Sequence, residues 1–374
     1  MPPNLNWIFV DDVVDEQNAY AQNLSRGQDD LRVIGLSPKD AREQILTGAN
    51  HPDGVLMDVE LTSAAGELGT GPGIAQDIRV KQKAGEIEEF PVVRFAGRQP
   101  VVKNIKGDPA SDDLFDLKIS KESLTGDRHG IVSRIRALSE IYNRIRDTRA
   151  NRLTEASVHA LLGVNTESWQ QWGHARLCDR LLSGMQASIH VAAGDLLRSF
   201  LIPTGLLVDE NVLAIRMGLD LTQSGKAWVT LRESLDFKYA GVGASAFPRW
   251  WAAGFDNWWA RQISPAAPVA SLSTEQRFEA LSKKRDVNGL VRLKMPTGSP
   301  GSKPWRTCVL SSEESPPSVI AVDPTEGVRV LGMTDTPPWV DPLYAALGPA
   351  LRSRDDHRLN RVDLARLSAK YNAR

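Results

Sequence analysis

Through its first 125 residues the chain alternates short apolar runs with amphipathic stretches, the pattern of strands and helices in a βαβ sheet. The apolar runs predict strands at Trp7–Asp11, Leu31–Leu36, Val55–Asp58, Val92–Ala96 and Leu117–Ser120. The stretches between them predict helices near Asp15–Leu24, Pro38–Thr47, Gly73–Lys83 and Val101–Lys106, the second with Ser37 as cap and Pro38 in its first turn. Runs as continuously apolar as WIFV and GVLM suit parallel strands covered on both faces. A longer helix is expected over His129–Arg152, where Ile131, Ile135, Leu138, Tyr142 and Ile145 recur at spacings of four and three. That seam serves equally as the inner face of the sheet domain's last helix or as a homodimer contact through 129–152, since about two heptads do not separate the two.

From Leu153 to Gln262 the pattern is mainly helical, with one hairpin expected at Gly205–Leu219, where GLLV and VLAI flank Asp209-Glu210-Asn211. Residues Ile263–Pro342 are rich in Pro, Gly and Ser. Short strands are expected there at Leu290–Leu293, Arg306–Leu310, Val319–Val322 and Val328–Leu331, and Asp341–Arg374 reads as two charged helices. The division along the chain is therefore 1–125, a sheet domain; 126–152, a connecting amphipathic helix; 153–262, an α-rich domain; and 263–374, a Pro/Gly-rich β-containing segment with C-terminal helices. The fold class is α/β, a doubly wound five-stranded parallel sheet followed by a mainly α-helical region with a small β portion.

Bulk properties narrow the function classes. A length of 374 residues suits two or three domains, and 41% hydrophobic with 24% charged residues suits a globular chain. A formal net charge of -1 argues against a globally basic nucleic-acid binder. Cys178 and Cys308 lie far apart, which excludes a disulfide framework or a cysteine zinc site and fits a reducing compartment. The start lacks a basic region followed by an apolar one, and no apolar run approaches the length of a membrane span, so a cytoplasmic location without a membrane partner is expected.

Chemistry concentrates at the ends of two strands. Asp11 and Asp12 follow WIFV, and Asp58 follows GVLM. Ligands bind at the carboxyl ends of strands in open α/β sheets, and carboxylates gathered there suit a hard divalent cation such as Mg²⁺. Phosphoryl transfer to a side chain needs a nucleophile, a metal and a fixed positive charge. Asp58 is the candidate nucleophile, Asp11 and Asp12 the candidate metal ligands, and Lys121, directly after Leu117–Ser120, the cation.

With the acid pair Asp11-Asp12, the acid Asp58, PVVRFA at the fourth strand and DLFDLKISK closing on Lys121, residues 4 to about 125 resemble the CheY-like receiver domain of bacterial response regulators. The resemblance implies a flavodoxin-like sheet in which Asp58 is the phosphoacceptor. It implies Mg²⁺ on Asp11, Asp12 and Asp58, and Lys121 paired with the acceptor carboxylate and its phosphoryl group. The donor it implies is a histidine kinase or phosphotransfer protein. The chain departs from the family at the switch positions. Ala96 stands where a hydroxyl residue ends strand four, Lys118 where an aromatic precedes the lysine, and Glu122 where proline follows it.

The later chain offers weaker signals. Ala160–Leu177 has the cadence of a helix–turn–helix, but its second helix offers Glu167, Gln170 and Gln171 with no cation before Arg176, which makes a helical hairpin the better reading. Arg128, Arg134, Arg136, Arg144, Arg146, Arg149 and Arg152 suit either nucleic-acid phosphates or a solvated face paired with Glu140 and Asp147, the latter being the commoner use. Within Pro248–Gln262, Trp250, Trp251, Phe255, Trp258 and Trp259 suit either a core-packed helix face or a protein interaction surface. His159, His174 and His190 are scattered, and no catalytic motif is recognised downstream of the receiver-like region. The function expected is a two-component response regulator whose output region acts through an unidentified protein partner. The alternatives are a DNA-binding transcriptional regulator and a phosphorylation-independent pseudo-receiver scaffold.

Overall fold

The structure of the protein, a computed structural model, describes residues 4–49, 51–59, 61, 70–97, 113–285, 288–295, 299–314, 317–332 and 336–372. The helix expected at Val101–Lys106 lies outside them. Five strands, β1 (Leu5–Val10), β2 (Leu31–Leu36), β3 (Gly54–Met57), β4 (Val92–Ala96) and β5 (Leu117–Ser120), form one sheet in the order β2-β1-β3-β4-β5. Every pairing is parallel. This is the doubly wound, flavodoxin-like order, with its topological switch between β1 and β3.

The strands form where the chain is predominantly apolar, without a break in β3 and with one or two polar residues in each of the others. Val55, Leu56 and Met57 have no exposed surface, and enclosing a side chain of this kind stabilises the fold by about 1.5–3 kcal/mol. β1 and β3 each stop one residue earlier than the sequence suggested. Val10 pairs with Met57, and the Asp58 N–H donates to the Val10 carbonyl at 3.0 Å, so Asp11 and Asp58 fall just past two adjacent strand ends.

Helices α1 (Val14–Ser25), α2 (Pro38–Leu46) and α3 (Gly71–Ala84) connect the strands. Ser37 caps α2 as expected, accepting from the Asp40 N–H at 3.2 Å. Helix α3 starts two residues ahead of expectation because Thr70 caps it, and it stops at Gly85, whose φ of 73° is left-handed. A short turn, α4 (Ser123–Gly126), leads into α5 (Arg128–Ala150). On α5, Ile131, Ile135, Leu138, Tyr142 and Ile145 are all buried. The Trp7 indole N–H donates to Ser139 Oγ of this helix at 3.1 Å. The seam offered for a homodimer through 129–152 is thus the inner face of the sheet domain's last helix.

The chain divides into two compact units that do not follow the linear division expected from sequence. The first comprises 1–166, 175–198 and 240–247; the second comprises 167–174, 199–239 and 248–374. Within the first, α6 (Glu155–Leu161), α8 (Ala175–Ala187) and α9 (Ile189–Leu196) accompany α5, while α7 (Thr166–Trp172) belongs, but for its first residue, to the second. Gly163, with φ 67°, lies so close to Gly241 that a Cβ would meet its nitrogen at 2.6 Å, and the Val242 N–H donates to Leu161 O at 3.0 Å. Asp116, at the start of β5, is enclosed between Arg79 of α3 (2.7 Å), His190 Nδ1 of α9 (3.0 Å) and the Tyr142 hydroxyl of α5 (2.8 Å).

In the second unit several expectations are corrected. The hairpin at Gly205–Leu219 is instead a strand, β6 (Leu207–Val208), followed by helix α10 (Glu210–Met217), because Asp209 caps a helix, accepting from the Val212 N–H at 2.8 Å. The Trp-rich segment does not form one helix. Trp250–Trp251 is strand β7, antiparallel to β6, and a helix follows over Ala252–Trp258. Trp250, Trp251, Trp258 and Trp259 are at most 3% exposed. The rings offered as an interaction surface are therefore core: Trp251 packs on Phe200 and Tyr239, and Trp258 on Phe237 and Phe255. Of the helix–turn–helix cadence, α6 belongs to the first unit and 167–174 to the second.

Short antiparallel pairs at Arg306–Thr307 with Ala321–Val322, and at Val328–Val330 with Leu343–Ala345, supply the small β portion. Helix occupies Val309–Glu313 where a strand was expected to continue, and Leu290–Leu293 contributes one bridge, Arg292 to Leu219. The end holds helices at Leu347–Arg352 and Arg361–Asn372, with a strand ahead of them. Among the described residues no helix is long and apolar enough to cross a membrane.

Candidate functional site

Three strand ends converge. Asp11 follows β1, Asp58 follows β3, and Lys121 follows β5. Asp11 and Asp58 are 1% and 7% exposed, because each follows strands covered on both faces. The Lys121 ammonium donates to Asp11 Oδ2 at 2.8 Å, to Asp58 Oδ2 at 2.6 Å and to Glu16 Oε2, on α1, at 3.0 Å. The other oxygens of the two aspartates accept backbone bonds, Asp11 Oδ1 from Val13 N–H at 2.9 Å and Asp58 Oδ1 from Val59 N–H at 2.6 Å. Two like-charged carboxylates thus share one cation, which offsets the repulsion between them.

Burial pushes the Asp11 carboxyl above its ordinary value, against the lowering effect of its bonds from Lys121 and Val13. Burial opposes the charge on Lys121 too, but its bonds to Asp11, Asp58 and Glu16 win and hold its pKa above the ordinary lysine value. The ammonium is a permanent charge at neutral pH. Its face is walled by Tyr20, whose ring centroid lies 5.4 Å from Nζ, a cation–π distance. Tyr20 packs edge-on against Phe9 of β1 and Phe95 of β4. Behind Asp58, Gly71 opens α3 so close that a Cβ there would sit 2.0 Å from the Asp58 carbonyl oxygen.

The structure brings together Asp11, Asp58 and Lys121 as the sequence proposed, with Asp12 half-buried beside Asp11. As donors to Mg²⁺ these residues fit in kind, being hard carboxylate oxygens. The ammonium occupies the point at which Asp11 and Asp58 converge, so a cation is already accommodated there. Among the described residues no group of three or more acidic, His or Cys side chains is drawn together as a metal cage. Ala96 ends β4 in register with Ser120, and Lys118 pairs with Arg94 in the ladder and is exposed. Glu122 accepts a bond from the Ser120 hydroxyl.

Sequence reasoning missed Glu16 and Tyr20. The available signal was their spacing: they lie four apart on a helix, hence on one face, and that helix starts just beyond the acid pair. The arginines of α5 form the paired face expected, but with other partners than Glu140 and Asp147: Arg134 meets Asp127, Arg136 meets Asp30, and Arg149 meets Glu89.

No protein-family model matches the chain, and no curated protein does. Among solved structures, the chain is similar to the N-terminal domain of a response regulator/sensory box/GGDEF 3-domain protein from Carboxydothermus hydrogenoformans. That likeness has 21% identity and a TM-score of 0.26, over 35% of this chain and 94% of that one. It is similar to a two-component response regulator of the LuxR family from Aurantimonas sp. SI85-9A1, at 18% identity and TM-score 0.26, over 36% of this chain and 84% of that one. A third likeness, at 15% identity and TM-score 0.24 over 51% and 92%, is to a response regulator from Burkholderia pseudomallei holding a phosphorylated aspartic acid, a calcium ion and citrate. These likenesses each cover about a third to a half of this chain.

Proposed function

We propose that the protein is a two-component response regulator in which Asp58 accepts a phosphoryl group and the second unit acts on a protein partner. The observation that carries this reading is the Lys121 ammonium held between Asp11 and Asp58 at the ends of β1, β3 and β5. A carboxylate oxygen of Asp58 attacks phosphorus of a phosphohistidine on a histidine kinase or phosphotransfer protein. The new O–P bond forms as the P–N bond breaks, and the electron pair leaves with the imidazole, which takes up a proton. Asp11, Asp12 and Asp58 would hold Mg²⁺, which supplies neutralisation of the phosphoryl oxygens. Lys121 supplies the fixed charge on the other side.

Incubating the full chain with Mg²⁺ and an acyl phosphate tests the reading. One acid-stable, base-labile phosphoryl group per chain is expected. It should be lost in Asp58→Asn and on removing Mg²⁺ with a chelator. A wild-type chain that takes no label would favour the pseudo-receiver scaffold, for which the absence of a hydroxyl at Ala96 and of an aromatic at Lys118 already speaks.

A further inference from the structure

The resting site holds one more carboxylate than the acceptor chemistry needs. Glu16 projects from the first turn of α1, its side chain about half exposed at 48%, and reaches the Lys121 ammonium at 3.0 Å. One turn on, Tyr20 lies against the same ammonium. A single face of α1 therefore clasps Lys121 by charge and by ring. At its far end α1 is held by α5, where Arg128 Nε donates to the Asn23 carbonyl at 2.7 Å and Arg128 Nη2 to the Arg26 carbonyl. The same helix α5 also grips the loop after α1, through Arg136 with Asp30 and Gln28.

We propose, building on the phosphoacceptor reading, that Glu16 is a positioning residue of the site, and that α1 registers the state of Lys121. In the resting protein Glu16 holds the ammonium alongside Asp11 and Asp58. When a phosphoryl group forms on Asp58, one of its oxygens inherits the N–H bond that Asp58 held, and the others compete for a second. An ammonium has no more than three to give, so the part-exposed Glu16, which water can satisfy, is the partner released. Glu16 thereby slows acceptance in two ways. Its bond must be given up, and its negative charge repels the incoming dianion. Its release frees the clasped face of α1, whose other end is fastened to α5.

The test compares full-length wild type, Glu16→Gln and Glu16→Asp, first matched for thermal unfolding midpoint and then labelled with an acyl phosphate and Mg²⁺. Removing the charge should raise the labelling rate by about threefold or more at low salt, the size expected for one charge a few ångströms away in a water-like dielectric. The gain should shrink above about 0.1 M salt, where the screening length falls to roughly 10 Å. Glu16→Asp, keeping the charge, should stay near the wild-type rate. Amide hydrogen exchange of 14–25 should rise on labelling in the wild type and already be raised in unlabelled Glu16→Gln. A labelled wild type with Glu16→Gln at the same or a lower rate overturns this proposal alone, as does an unchanged exchange of 14–25. A wild type that takes no label overturns the acceptor reading and this one together.

Discussion

Asp116 stands at the opposite end of β5 from Lys121 and is fully enclosed, opposed by Arg79 and bonded by Tyr142 and His190. Burial alone would raise its carboxyl pKa, yet Arg79 and His190 outweigh burial and hold it well below the ordinary 3.8. A carboxyl depressed by folding adds stability above its unfolded value and loses it as pH falls below that value. Replacing it with alanine leaves the Arg79 guanidinium enclosed and unopposed. Asp116→Ala should therefore lose about 3–5 kcal/mol in urea unfolding at neutral pH. The variant should also show a flatter loss of stability on acidification from about pH 5 downward. Asp11 and Asp58 were legible in the sequence because each directly ends an apolar run, and Lys121 because it follows the last strand of the sheet. The pairing of Asp116 with His190 was not, since no periodic signal links residues 74 positions apart. Glu16 and Tyr20 were hidden for a related reason: their role depends on how the phase of α1 meets the end of β5.

At the scale of elements, the five strands were readable to within a residue or two, because strands packed in a parallel sheet leave short, predominantly apolar runs. The Trp-rich segment misled because Trp250-Trp251 and the four-residue recurrence of Trp251, Phe255 and Trp259 satisfy a helix period, while pairing of Trp250 and Trp251 with β6 overrides it. Core position makes a sharp expectation: Trp251→Ala should destabilise the chain by about 3–5 kcal/mol, read by chemical unfolding, where a surface residue would change little. Gly71 makes another. Its approach to the Asp58 carbonyl leaves no room for a methyl group, so Gly71→Ala should displace either the N-terminus of α3 or the Asp58 backbone. Acyl-phosphate labelling should fall more steeply than the unfolding midpoint, because a shift of about an ångström at a reacting group is felt by the chemistry first.

For the molecule as a whole, the sequence suggested consecutive domains, whereas the first unit draws on three separate stretches of chain. Alternation of apolar and polar positions reports elements and says little about which distant elements share a core. A fragment ending at residue 152 keeps the sheet and α5 but lacks 175–198, and with it the His190 bonds to Asp116 and to the Asp113 carbonyl. Its melting midpoint should lie below that of the first unit in the intact chain, and it should bind a dye for exposed apolar surface. The backbone passes between the units five times, after residues 166, 174, 198, 239 and 247. No single splice separates one unit from the other, so the protein cannot be diversified by exchanging one half for another. A duplicated copy would have to evolve, or be engineered, as an indivisible piece.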